Sequence, residues 1–271
     1  MEYSVLLSVY DKERPEHLLE AVESMEKQTA PSKELILVCD GPLTPGLEDV
    51  IALLTERYPY WIKPVRLAEN NGLSAALNAG LARCSCDLIA RMDSDDISLS
   101  DRCERQIKVL KSQEYDIVSG TVLEFEGEPG NIISSRVLPE NSGEILKFSK
   151  RRNPFNHPAV MFRKEAVLKV GGYGECRYFE DYELWTKLLA AGCSGYNIPE
   201  PLLKMRAGSN LYARRGGKEY FECIRKFEKF RLNSGVSGMF NYWVCLLGKG
   251  AVALAPNFLR GAFYKVFLRK K

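Results

Sequence analysis

Three carboxylates fall within four residues in Asp93-Ser94-Asp95-Asp96, directly after the apolar run Leu88-Ile89-Ala90-Arg91-Met92. Like charges this close repel one another unless a cation lies among them. Hard oxygen donors suit Mg²⁺ or Mn²⁺, ions that commonly bridge to substrate phosphates. The same acids can instead serve the N-terminus of a helix that begins at Asp101, where they favour the positive end of its dipole. Their place at the end of an apolar run favours the metal. An EF-hand does not fit, because neither its loop glycine nor its closing glutamate stands at the required spacing. A second acidic group, Phe179-Glu180-Asp181-Tyr182-Glu183-Leu184-Trp185, either caps a helix or supplies a general base that takes a proton from a hydroxyl. Spacing leaves both open. Asp40, followed by Gly41-Pro42, either starts a turn, the simpler reading on its own, or accepts a hydrogen bond from a base or ribose. No GxGxxG and no GxxxxGK[ST] occurs, so the dinucleotide and P-loop readings lack their phosphate loops.

These residues need a scaffold, and the first hundred residues alternate between two periods. Val5 to Tyr10 and Leu35 to Cys39 are apolar runs of strand length, with weaker versions at Ile62 to Leu67 and Leu88 to Met92. Near-continuous apolar runs predict strands buried on both faces, as in a parallel sheet. Between them Leu18, Leu19, Val22 and Met25 recur at helical spacing after Pro15, and Leu47, Val50, Ile51 and Leu54 do so after Thr44. Leu73, Ala76, Leu77, Gly80 and Leu81 make a third helical stripe. This order predicts right-handed crossovers and a doubly wound α/β sheet with its ligand at the carboxyl ends of the strands. Further on, Ile117 to Phe125 and Ile132 to Leu138 read as strands joined by Gly127-Glu128-Pro129-Gly130. Glu144 to Lys150 and Glu183 to Ala190 read as helices, and Ala159 to Phe162 as a short strand. This half is mixed and packs against the first without a linker.

The 271 residues, 45% hydrophobic and 27% charged, are globular in composition and exclude disorder and a multi-span membrane protein. A net charge of +3 gives no argument for a nucleic-acid partner. Its distribution is uneven. After Glu228 there is no acid, while Lys229, Arg231, Lys249, Arg260, Lys265, Arg269, Lys270 and Lys271 supply eight cations. The body is therefore net acidic and the tail basic. Eight scattered cysteines without a CxxC pair, and a start lacking the pattern of a signal peptide, lead to the expectation of a reduced, cytosolic protein. Only two histidines, His17 and His157, argue against a Cys/His zinc site.

The ordered set Ser4 to Tyr10, Gln28-Thr29, Asp40-Gly41, Asn71 to Gly80, Asp93-Ser94-Asp95-Asp96 and Glu180-Asp181 resembles the family-two glycosyltransferases, inverting enzymes of the GT-A fold. The resemblance covers roughly residues 3 to 210 and is specific as an ensemble rather than piece by piece. Arg151 to Pro158 and Ile198-Pro199-Glu200-Pro201-Leu202-Leu203 are similar to the branch that builds bacterial capsule and O-antigen repeat units. The resemblance implies a Rossmann-like, mostly parallel sheet with a mixed acceptor-side half and a helical basic tail. Residues 1–100 would form the nucleotide-sugar-binding half, 101–210 the acceptor-binding and catalytic half of the same domain, and 211–271 a basic amphipathic region.

Position by position, the resemblance implies that Ser8 and Tyr10 line the nucleotide site and that Asp40 contacts the uracil ring. Asn71 and Gly72 would lie near the nucleotide or its phosphates, Asp93 by the ribose and donor sugar, and Asp95 on a Mn²⁺ or Mg²⁺ ion. Asp181 would be the catalytic base, with Glu180 and His157 on the acceptor side. Many relatives add a histidine ligand after the last core strand. This chain has Met205-Arg206-Ala207-Gly208-Ser209 there, so Asp95, diphosphate oxygens and water would hold the ion, and Arg206, Arg214 and Arg215 would neutralise the diphosphate, unless they form a solvated basic loop.

The implied donor is a UDP-sugar, with UDP-glucose or UDP-galactose the family's suggestion, and the implied acceptor an undecaprenyl-diphosphate-linked sugar. Met239 to Lys271 mixes aromatic, aliphatic and basic residues without a run of about 18 apolar residues. That composition suits contact with an anionic membrane, here the inner face of the bacterial plasma membrane, although its first part can equally pack on the body. Three other readings are weaker. A sugar-phosphate nucleotidyltransferase needs a Gly-rich loop where Asp11-Lys12-Glu13-Arg14-Pro15 stands, and a glycosidase gives no reason for Asp40 or the acidic cluster. A non-enzymatic membrane-associated nucleotide-binding module leaves the acids without a task.

Overall fold

In the computed structural model, which describes residues 1–112, 115–207 and 216–254, the alternating periods become alternating strands and helices. β1 (Tyr3–Val9), β2 (Glu34–Cys39), β3 (Ile62–Arg66) and β4 (Leu88–Asp93) lie parallel in the order β3-β2-β1-β4. They are joined by α1 (Pro15–Glu26), α2 (Pro45–Arg57) and α3 (Leu73–Arg83). Pro15 and Pro45 stand at helix starts, where the missing N–H costs nothing. Thr44 caps α2 by accepting from the Leu47 N–H at 3.4 Å.

The period of two decides which residues meet which helices. Val5, Leu7 and Val9 of β1, with Leu35 and Leu37 of β2, join Leu18, Val22, Leu47 and Ile51 in one core. Leu6, Ile36 and Val38 point the other way, onto Ala76, Leu77 and Leu81 of α3. Burial on both faces explains why these strands carry so little polar alternation.

Past β4 the sheet becomes mixed. It continues through β5 (Ile97–Ser98), α4 (Arg102–Ser112), β6 (Ile117–Phe125), β7 (Ile132–Arg136), α5 (Ser142–Ser149), one 3-10 turn (His157–Ala159), β8 (Met161–Arg163), α6 (Lys164–Lys169), α7 (Glu180–Ala190) and β9 (Gly195–Arg206). The full order is β3-β2-β1-β4-β8-β6-β9-β5, with β7 on the far half of β6. β8 runs antiparallel to both β4 and β6, while β9 runs parallel to β6.

Two C-terminal helices, α8 (Gly217–Asn233) and α9 (Met239–Leu254), complete the described chain. Ile224 and Phe227 of α8 and Leu246 and Ala253 of α9 pack on Phe179 and Tyr182 at the start of α7. Arg231 and Glu228, both wholly buried, pair at 2.7 Å, and Lys249 reaches the other Glu228 oxygen at 2.7 Å. Arg231 also donates to the Ser149 carbonyl at 2.7 Å, which ties the hairpin to the end of α5. A buried pair of this kind repays its desolvation only when its remaining polar atoms are bonded, as most are here. All eight cysteines are free. Among the described residues no helix is long and apolar enough to cross a membrane.

Candidate active site

Strand register gathers the predicted residues at one edge. Ser8 pairs with Asp93 across β1 and β4, and the Asp40 N–H donates to the Val9 carbonyl at 2.8 Å. Ser8 and Tyr10 are half-buried there, and Asp40 is 5% exposed. The Asp40 carboxylate accepts the Asn71 N–H at 2.9 Å on one oxygen and the Gly72 N–H at 3.1 Å on the other. It thus braces the loop that opens α3 against the end of β2. Gly41 and Gly72 both sit in the left-handed region, at φ +84° and +85°. At Gly41 a Cβ would meet the Asn70 nitrogen at 2.6 Å, so glycine alone allows the two loops to approach.

The acidic loop after β4 is held from three sides. Beneath it Arg91, 1% exposed, grips Asp93 with both terminal nitrogens, one at 2.5 Å. From the β1–α1 loop, Glu13 accepts the Ser94 hydroxyl at 2.8 Å. From β9, the Arg206 N–H donates to Asp96 at 2.9 Å. Asp95 pairs with no lysine, arginine or histidine among the described residues. Burial pushes its carboxyl up to about 7, and the charges of Asp93 and Glu13 push the same way. Asp96 is raised as well, by burial first and then by Asp95 and Asp93, and its second oxygen is buried without a hydrogen-bond partner. The loop is thus a half-buried set of hard oxygens short of positive charge.

The opposite wall is the start of α7. Tyr178, just before it, adopts φ +71°, a conformation that costs a non-glycine residue about 1–3 kcal/mol. The Tyr178 N–H donates to Glu180 at 3.0 Å, and Asn153 donates to Asp181 at 2.5 Å. Glu180 is raised above the usual carboxylate range, by burial first, with Asp181 and Glu183 adding to it. Burial raises the Tyr173 hydroxyl, Arg91 opposes, and the charges of Asp181 and Asp93 push it further up. His157 stands behind Tyr173, with Nε2 and the Tyr173 hydroxyl 3.0 Å apart. Burial and then Arg91 hold its pKa well below the ordinary value, which keeps it neutral.

The structure brings Ser8, Tyr10, Asp40, Asn71, Gly72, Asp93 and Asp95 to one edge of the sheet, and Glu180 and Asp181 to the wall opposite. Arg206 is already engaged. Its guanidinium donates to the Asp95 carbonyl at 3.1 Å and pairs with Glu20 of α1 at 2.7 Å, over the Phe125 ring. These contacts hold it against the acidic loop. Arg214 and Arg215 lie outside the described residues. Sequence reasoning missed Glu13, Tyr173 and Asn153, and gave Arg91 no part of its own; only an arginine inside an apolar strand hinted at a buried counter-charge.

The glycosyl transferase family 2 model matches residues 4–171, which include both nucleotide-side loops and the acidic cluster. The chain belongs to that family. A UDP-Gal:alpha-D-GlcNAc-diphosphoundecaprenol beta-1,3-galactosyltransferase of Escherichia coli is 38% identical over 99% of this chain and 97% of its own length. The amylovoran biosynthesis glycosyltransferase AmsE of Erwinia amylovora is 38% identical over 94% of both chains. The family-two glycosyltransferases are inverting enzymes, and this chain is one of them. The fold is that of GT-A enzymes. Staphylococcus aureus TarS 1–349, solved with UDP-GlcNAc, superposes with a TM-score of 0.68 at 15% identity over 99% of this chain and 76% of that one. PcManGT of Pyrobaculum calidifontis, solved with GDP-Man and Mn²⁺, gives 0.62 at 16% identity over 99% of this chain and 81% of that one.

Proposed function

We propose that this glycosyltransferase moves a hexose from a UDP-sugar to an undecaprenyl-diphosphate-linked sugar, with inversion and a β-linkage, in the assembly of O-antigen or exopolysaccharide repeat units. The observation that carries the reading is the gathering of Ser8, Asp40, Asp93 and Asp95 at the carboxyl ends of β1, β2 and β4, around the loop that Asp40 braces. Asp181 then supplies the acceptor-side carboxylate. The galactosyltransferase of Escherichia coli supports UDP-galactose as the first donor to try.

In this reading residues 1–100 hold the donor and 101–210 the acceptor. Ser8, Tyr10 and the Asp40-braced loop at Asn71 and Gly72 surround the nucleotide, and Asp93 meets the ribose and donor sugar. The loop fits a hard divalent ion, because its donors are carboxylate oxygens, Arg91 offsets only Asp93 among them, and one Asp96 oxygen is orphaned. Asp95 would hold Mn²⁺ or Mg²⁺. Among the described residues no three His, Cys, Asp or Glu side chains are grouped to hold an ion, and in this reading oxygens of the bound diphosphate and water would be its other ligands. Such an ion supplies charge neutralisation on the departing diphosphate.

Asp181 accepts the proton of an acceptor hydroxyl, held in place for this by Asn153. The hydroxyl oxygen forms its bond to the anomeric carbon from the side opposite the diphosphate. The carbon–oxygen bond to the diphosphate breaks and its electron pair leaves with UDP. Glu180 and, through Tyr173, the neutral His157 shape the acceptor side. Arg214 and Arg215 add positive charge near the diphosphate, while Arg206 keeps the acidic loop in place. The C-terminal region rests peripherally on the inner face of the plasma membrane.

The test is calorimetric titration of UDP, with Mn²⁺ and then with EDTA, on the wild type and Asp95→Ala. The expected result is metal-dependent binding that the substitution abolishes. No UDP binding in either condition would overturn the donor, and binding indifferent to both EDTA and the substitution would remove the metal.

A further inference from the structure

Residues 147–152 and α9 lie side by side. The Cys245 thiol contacts the Lys150 and Arg151 carbonyls at 3.9 and 3.8 Å, and Arg151 Nε donates to Asn241 at 2.8 Å. The Arg151 guanidinium lies 5.7 Å from the Phe240 ring centre. Lys147, Arg151 and Arg152 are exposed and Lys150 is half-buried. Among the described residues none of these four cations pairs with a carboxylate.

The inward face of α9, with Cys245, Leu246, Gly250 and Ala253, is buried. The outward face carries Met239, Phe240, Trp243, Val244, Leu247 and Leu254, from 40% exposed at Val244 to 71% at Phe240. Their spacing makes one continuous stripe with no charge in it. An apolar stripe of this kind beside uncompensated cations is complementary to an anion that carries a hydrocarbon chain. The position along the chain is equally telling. Arg152 is followed by Asn153, whose side chain holds Asp181 at 2.5 Å. Tyr182, the residue after Asp181, donates its hydroxyl to the Ser149 carbonyl at 2.6 Å, so the segment that carries the cations is tied to the element that carries the base.

We propose that this composite surface receives the acceptor lipid. Arg151 and Arg152 hold its diphosphate, and the stripe from Phe240 to Leu247 lies against its isoprenoid chain. The sugar on the diphosphate is thereby presented to Asp181. This rests on the reading of the protein as a transferase to a lipid-diphosphate-linked sugar with Asp181 as base, and it names the residues that recognise the lipid part.

The experiment titrates farnesyl diphosphate, farnesol and inorganic diphosphate into the full chain, followed by tryptophan fluorescence, with UDP and Mn²⁺ saturating so that the donor site is blocked. Wild type is expected to bind farnesyl diphosphate about tenfold or more tighter than either fragment, the equivalent of about one charge-assisted hydrogen bond. Arg151→Gln with Arg152→Gln should bring farnesyl diphosphate down to the farnesol level and leave farnesol unchanged. Val244→Ser with Leu247→Ser, which keeps Trp243 as the reporter, should weaken both lipids about tenfold. Equal binding of farnesyl diphosphate by wild type and the arginine double variant would overturn the proposal. So would a stripe variant that changes only the oligomeric state, which would make the face a contact between copies. A separate UDP titration of the same preparation tests the donor reading: its failure, with lipid-diphosphate binding intact, would leave this site standing and overturn the UDP-sugar donor.

Discussion

Replacing Arg91 by methionine removes the charge beneath the acidic loop while keeping a side chain of similar reach. Arg91 is 1% exposed and grips Asp93 through two hydrogen bonds, so the pair is broken at its buried end. Removing one partner of a buried pair costs about 3–5 kcal/mol when the survivor stays buried. The Asp93 side chain is 35% exposed and can regain water, which places the expected loss nearer about 2–3 kcal/mol. Asp93→Asn is the harsher change, because it strands the wholly buried guanidinium, and is expected to cost about 4 kcal/mol. The double variant should cost less than the sum, with a coupling of about 1.5–3 kcal/mol. Urea unfolding reads this directly: at a slope of about 3 kcal/mol per molar, Arg91→Met moves the midpoint down by nearly 1 M. A coupling below about 0.5 kcal/mol, the size found for exposed pairs, would refute the argument that Arg91 offsets the repulsion within the loop.

Asp40→Ala frees the Asn71 N–H and leaves the Gly72 N–H only its 3.2 Å bond to Asn70, and should cost about 1–3 kcal/mol in urea unfolding while weakening UDP binding in calorimetry. An unchanged UDP affinity would show that the braced loop does not face the nucleotide. Burial opposes ionisation of Glu34, but hydrogen bonds from Lys63, Ser4 and Ser85 outweigh it and hold the carboxyl at about 2. A depressed folded-state pKa contributes stability that is complete above the ordinary value near 4.5 and is lost as pH falls towards 2. Stability measured across that window should therefore drop in wild type and drop less in Glu34→Gln, and parallel curves would contradict the assignment.

Much of the scaffold was legible because local pattern determined it. The apolar runs became β1 to β4 and the Pro15 and Thr44 signals became helix starts, with element ends shifted by one to three residues. β1 stops at Val9 rather than Tyr10, β7 at Arg136 rather than Leu138, and α7 starts at Glu180 rather than Glu183. β9 was hidden by Pro199 and Pro201, which a central strand tolerates only at an irregularity; its register with β6 shifts between Gly120 and Val122, where Pro201 sits. α8 was missed because its apolar positions, Ile224 and Phe227, are spread thinly among charges. For the first part of the tail, packing on the body and exposure to the surroundings proved to be two faces of the single helix α9.

Within the site, residue types pointed to the acidic loop and to Glu180-Asp181, but not to what holds them. Arg91 beneath Asp93, Glu13 on Ser94 and Asn153 on Asp181 are contacts between elements, and spacing along the chain carries no signal for them. Asp40 shows how the two readings of one residue merge. As a turn residue it ties two loops together, and the loops it ties are those the resemblance places at the nucleotide. The contacts of Arg206 with Glu20 and the Asp95 carbonyl join elements far apart along the chain and had no signal in the sequence either.

The central claim is that Asp181 is the base of a transfer from a UDP-sugar to a lipid-diphosphate-linked sugar. The most direct measurement is hexose transfer from UDP-galactose to undecaprenyl-diphosphate-linked GlcNAc by wild type and Asp181→Asn, with UDP affinity determined on the same samples. Asparagine keeps one of the two oxygens that accept from the Tyr182 N–H and Asn153, and loses the capacity to take the proton. The account predicts a loss of about 10²–10⁴-fold in kcat with UDP affinity within about twofold of wild type. Transfer at the wild-type rate by Asp181→Asn would contradict it and place the base elsewhere.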